Sequence, residues 1–165
     1  MLAPKTEWAR IGEERPGWAL AHGLILALLP ALVSLFMVRD AELPMPQHAV
    51  LATYLAVLLS LFAVAAAFWL LTRFDLRDAT LARCVQVAAY GATPLLLGSA
   101  LLVSPVLVMV WLATLPYAFY LYYLGVQQLL RVPANEALQF VAIALVAALA
   151  ASTLGGAGIG ALGLL

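Results

Sequence analysis

Arg83, Gln86, Tyr90 and Thr93 follow one another at steps of three, four and three, so on a helix they share one face. They offer a guanidinium, a carboxamide and two hydroxyls, groups that bind more readily than they react. Downstream, Tyr117, Tyr120, Gln127 and Gln128 supply similar types. Covalent or acid–base chemistry would call for a nucleophile beside a base, a carboxylate pair or a metal-ligand cluster. The chain offers no such arrangement. His22 and His48 lie apart without ligand-like spacing, Cys84 is the lone cysteine, and no His-Glu-x-x-His run occurs. An enzyme is the least supported class, and no metal or cofactor is expected. The polar groups either line a pocket or bond from helix to helix, the latter worth about 0.6 kcal/mol per contact.

The elements that position these groups follow from composition. Of 165 residues, 66% are apolar and 10% charged. Soluble domains carry about 25% charged residues. A bilayer can cover this much apolar surface, and a water-soluble fold cannot. Net charge is zero, so there is no basic patch of the kind nucleic acid requires.

A bilayer core of roughly 30 Å needs about 20 helical residues. Residues 18–38 and 49–72 qualify. Residues 85–130 carry no charge. As one helix they would run about 69 Å, twice the membrane, so the segment must turn. Ser104-Pro105 supplies the turn, serine as an N-cap and proline as a first helical residue. The expected fold is all-α and integral to a membrane. Its five transmembrane helices lie near 18–38, 49–72, 81–103, 105–124 and 137–163, after an N-terminal segment 1–17. The first span has a long preceding region containing acids and no small-x-small site after it, so it reads as a retained anchor.

Lysine and arginine set the orientation. Lys5, Arg10 and Arg15 precede the first span, and Arg39 follows it. Arg73, Arg77 and Arg83 lie between the second and third, and Arg131 lies before the fifth. A cytoplasmic N-terminus puts seven of these inside and one outside. The N-terminus is therefore expected inside and the C-terminus outside. Trp18, Trp69, Tyr54, Tyr120, Tyr122 and Tyr123 fit as interfacial anchors in this frame.

Pro30, Pro94 and Pro116 fall inside spans and deprive the carbonyls of Leu26, Tyr90 and Leu112 of their usual donor. The short turn makes spans three and four an antiparallel hairpin. Their polar sets are expected to meet at one depth, as a cytoplasm-facing pocket or as interhelical bonds. No acidic residue lies at mid-span, which counts against proton-coupled transport. Ala148, Ser152, Gly156 and Gly160 recur every four residues, a stripe that lets a helix of this chain or of a second copy approach closely. Residues 6–15 read as a short helix lying on the membrane. Trp8 and Ile11 would dip into the interface, with Glu7, Arg10 and Glu14 in water.

The segment Tyr90-Gly91-Ala92-Thr93-Pro94, and a tyrosine-rich fourth span ending Leu124-Gly125-Val126-Gln127-Gln128, resemble the Yip family of Ypt/Rab-interacting five-helix membrane proteins. The resemblance is to the compact bacterial branch, where an opening like Pro4 to Trp8 also occurs. It implies a non-enzymatic membrane protein. Eukaryotic relatives bind small GTPases. This chain lacks their long N-terminal region and its Asp-Leu-Tyr-Gly-Pro motif, so GTPase binding does not carry over.

The expected function is that of a non-catalytic inner-membrane adaptor or organiser. It would act through membrane lipids and a protein partner or a second copy. The residues expected to carry it are Tyr90, Pro94, Tyr117, Tyr120 and Gly125. The alternative is a small oligomeric carrier or channel subunit with a polar cavity at Gln86, Tyr90 and Thr93. An Ala- and Leu-rich chain with one lysine suits a bacterial cytoplasmic membrane.

Overall fold

The computed structural model describes residues 4–39, 46–75 and 79–161. Every regular element among them is helical. Five stretches are long and apolar enough to cross a membrane: Pro16–Phe36, Val50–Phe74, Leu81–Val103, Val108–Leu129 and Ala134–Ala151. The all-α, five-span architecture is therefore present.

A short helix, α1 (Pro4–Glu13), precedes the spans. The first span, α2 (Pro16–Arg39), starts on a proline, whose missing N–H costs nothing in a first turn. Pro30 sits inside α2 without ending it. The second span, α3 (Pro46–Phe74), packs along α2.

The third span is not one helix. Its first part, α4 (Leu81–Gly91), opens on Thr80, whose hydroxyl accepts from the Arg83 N–H at 3.4 Å. It stops at Ala92, and α5 (Thr93–Gly98) restarts with Pro94 in its first turn. Proline is tolerated there, so the expected kink is a boundary between two helices. A 3-10 run, Ser99–Val103, leads to Ser104, which is extended at φ −121°, ψ 128°. The chain reverses there, and a second 3-10 turn, Pro105–Leu107, begins the return.

The fourth span is also divided, into α6 (Val108–Leu112) and α7 (Thr114–Leu129). Pro116 cannot donate to the carbonyl of Leu112, the last residue of α6, so the missing bond coincides with the break. Helix α7 runs to Leu129, five residues past the expected end. It ends because Arg131 takes a left-handed conformation, φ 56°, where glycine is usual. The Val132 N–H then folds back onto the Val126 carbonyl at 3.2 Å. The fifth span, α8 (Ala134–Ala161), starts after Pro133.

Phe68 of α3 is the knot of the core. It stacks on Phe140 of α8 with centroids 6.0 Å apart and an interplanar angle of 3°. It also meets Tyr122 of α7 at 5.9 Å. Tyr122 fits against α4 because Gly91 has no side chain. A Cβ there would lie 2.5 Å from two Tyr122 ring carbons. The Tyr122 hydroxyl donates to the Ala88 carbonyl at 3.4 Å.

Chain order brings the starts of α2, α4 and α8 and the ends of α3 and α7 to one end of the bundle. Arg15, Arg73, Arg83 and Arg131 gather there. Arg73 lies 5.4 Å over the Trp69 ring, a cation–π contact at the bundle's basic end.

Candidate functional site

Helix α1 packs against α7 at the basic end. Its sequence places Trp8 and Ile11 three apart, on one face. That face was expected to dip into lipid. It is buried in the protein instead: Trp8 is 0% and Ile11 3% exposed. The reason is a notch in α7. A Cβ on Gly125 would lie 2.8 Å from Cη2 of Trp8 and 3.0 Å from Cζ2. On α1 itself, Gly12 allows an equally close approach to Leu129, at 3.0 Å. A lipid interface wets one side of an indole, whereas the notch surrounds it. The Trp8 ring also meets Tyr90 edge-on at 6.5 Å. Its Nε1 has no hydrogen-bond partner among the described residues.

The α4 face read from sequence grips the same helix. The Gln86 carboxamide donates to the Ile11 and Glu14 carbonyls, each at 3.2 Å. These lie where α1 ends, and the last carbonyls of a helix have no partner within it. The Tyr90 hydroxyl donates to the Glu14 carboxylate at 2.9 Å. Arg83 reaches the other way, its Nη1 donating to the Leu129 carbonyl of α7 at 3.3 Å. On the outer side of α1, Arg10 pairs with Glu7 at 3.4 Å and with Glu14 at 3.9 Å.

Thr93 belongs to a neighbouring contact. Its Oγ1 lies 2.9 Å from His22 Nε2 and 3.4 Å from the Ala89 carbonyl. With the Thr93 proton directed to Ala89, His22 Nε2 is the donor. The His22 ring also lies 4.7 Å from that of Tyr90, tilted by 33°. Glu14, Tyr90, His22 and Thr93 thus form one chain of contacts joining α1, α2, α4 and the start of α5.

The two polar sets of the hairpin do not meet as expected. Tyr117 and Tyr120 lie on the outer face of α7, 39% and 41% exposed. The Gln127 amide donates to its own helix, at the Tyr123 carbonyl, 3.0 Å away. Gly125 acts as the floor of the Trp8 notch, and Pro94 opens α5. In place of α7 side chains, α1 covers the α4 face. Ser152, Gly156 and Gly160 fall within α8, and their surroundings lie outside the described residues.

Sequence reasoning missed Trp8, Glu14 and His22 as members of this cluster. The one signal available was the Trp8–Ile11 spacing, which looks the same whether the face meets lipid or protein. A small apolar cavity of about 20 Å³ opens among α2, α3 and α4, lined by Ala19, Gly23, Phe62, Val85 and Ala89. It has room for about one water and few groups to hold it. Among the described residues no cluster of His, Cys, Asp and Glu could hold a metal.

A family model described as the Yip1 domain matches residues 1–155. No curated protein and no solved structure matches the chain.

Proposed function

The chain belongs to the Yip1 domain family, and we propose that it works as a non-catalytic adaptor or organiser, holding a protein partner at the basic end of its bundle. The family is not known as enzymatic. One observation carries the reading: on the α4 face, Gln86 and Tyr90 are spent on docking α1 and the Glu14 that follows it. Arg83 ties α4 to α7. A catalytic or transporting site would keep such donors for a ligand. Here they fix a short helix whose outward face carries Glu7, Arg10 and Glu13, with the Arg10 side chain 69% exposed.

A 10-residue helix is marginal alone. Docked, it presents charges in fixed positions at the end of the bundle that carries Arg15, Arg73 and Arg131. The arginine distribution supports a cytoplasmic position for this end, and the composition suits a bacterial inner membrane. Lipid headgroups contact the same basic rim.

The test is site-specific photo-crosslinking in native membranes from Arg10 and Glu13. The adaptor reading expects a discrete protein adduct that disappears when Trp8→Ala undocks α1. Adducts to lipid alone, unchanged by Trp8→Ala, would sink it.

A further inference from the structure

The third span is braced by side chains where its backbone is interrupted. Ala92 stands between α4 and α5, and Pro94 cannot donate to the Tyr90 carbonyl across that break. Helix α5 has six residues and is too short to hold a direction by itself. Thr93 spans the break instead. Its Oγ1 lies 3.4 Å from the Ala89 carbonyl of α4 and 2.9 Å from His22 Nε2 of α2.

Tyr90, in the last turn of α4, ties this brace to the N-terminal helix. Its ring lies 4.7 Å from the His22 ring and meets Trp8 edge-on at 6.5 Å. Its hydroxyl donates to the Glu14 carboxylate at 2.9 Å. A second route runs through α7. Trp8 fills the notch at Gly125, and Tyr122, one turn earlier on the same helix face, fills the notch at Gly91. Gly91 is the residue before the break. Both routes start at α1 and end at the joint.

Helix α1 has the features of a movable part. It joins α2 through Glu14 and Arg15, which are not helical. Gln86 holds only its last turn, at Ile11 and the following Glu14. Its Trp8 is fully buried with no partner for Nε1 among the described residues, a donor that release would satisfy.

We infer that α1 is a latch on the third span. Docked, it fixes the angle between α4 and α5 through Tyr90 and through α7. Released, it frees α5 to turn about Ala92, since a hinge needs only a few residues at an element's end. The coupling is reciprocal, so whatever sets the joint also sets the latch. A partner gripping α1 thereby acts on the far half of the span. That last consequence rests on the adaptor reading, and the coupling itself does not.

The test is a set of spin-label distances in nanodiscs, with Cys84→Ala as background. Ala9→Cys with Leu138→Cys reports whether α1 is docked. Leu97→Cys with Val146→Cys reports the position of α5. Leu55→Cys with Val146→Cys is the control, because the Phe68–Phe140 stack joins α3 to α8. All these side chains are exposed. Trp8→Ala is expected to release α1 and to shift or broaden the α5 distance by about 2 Å or more, with the control unchanged. Gly125→Ala unseats α1 by a different route and is expected to move α5 the same way. Thr93→Val cuts the brace at His22 and is expected to reproduce the α5 change. Combined with Trp8→Ala it is expected to add nothing, because residues on one path are not additive. An α1 that stays docked in Trp8→Ala and Gly125→Ala overturns the latch. So does an α5 distance indifferent to α1 release or to Thr93→Val, a control that shifts with α5 in both notch variants, or an additive double variant.

Discussion

Trp8 of the N-terminal helix occupies a notch that exists because residue 125 has no side chain: a Cβ on Gly125 would sit 2.8 Å from the indole. The indole is fully buried and cannot swing aside into solvent. Gly125→Ala therefore pushes α1 off the bundle or distorts α7. Overpacking of this kind costs about 1–3 kcal/mol. The expected readout is rapid protease cleavage within α1 in nanodiscs, with the spans still protected.

Gln86→Leu tests the polar half of the same dock. It removes two hydrogen bonds and leaves the Ile11 and Glu14 carbonyls without their donor. Each such loss costs about 1–3 kcal/mol in a buried setting. Amide exchange in α1 is expected to accelerate by at least about tenfold while exchange in α3 stays slow. Tyr90→Phe, which removes one bond to Glu14, is expected to do the same more weakly. Equal protection in wild type and Gln86→Leu would show that packing alone holds α1.

Gly91→Ala strikes the core. Its Cβ would meet the Tyr122 ring at 2.5 Å, closer than the Gly125 contact. Tyr122 is held from behind by Phe68, which is held by Phe140. The expected loss is about 3 kcal/mol, at the upper end of overpacking costs. It should appear as a lower Tm for the whole chain and not as local opening of α1. Phe68→Ala, at the centre of that stack, is expected to cost about 3–5 kcal/mol.

Arg131 predicts a gain. A left-handed residue with a side chain carries a penalty of roughly 1–2 kcal/mol, of which glycine's greater freedom in the unfolded chain takes back about half. Arg131→Gly is expected to raise Tm in detergent by a margin equivalent to about 0.5–1 kcal/mol. A fall in Tm would mean that the arginine makes contacts worth more than the strain.

The spans were legible because a bilayer imposes one length and one composition, and the uncharged stretch from 85 to 130 had to reverse somewhere. Ser104-Pro105 was readable for the same reason: both residue types suit that place and few others. The face formed by Arg83, Gln86, Tyr90 and Thr93 followed from helical period alone. Its occupant did not. Trp8 and Ile11 make an amphipathic face, and periodicity reports that a face is apolar without reporting what covers it. Gly125 carries no sign that it faces an indole. The division of spans three and four at Ala92 and Ala113 was half visible. Pro94 and Pro116 announced a disturbance, but proline marks both a kink and a fresh start.

The dock between Trp8 and Gly125 joins residues 117 positions apart, and that separation has a meaning in time. Trp8 leaves the ribosome on the order of ten seconds before Gly125 does at ordinary synthesis rates. During that interval the N-terminal helix has no seat. It settles only after both halves of the hairpin have entered the bilayer and met. A buried Trp8 is thus the molecule's own record that the α7 half of the hairpin is in place.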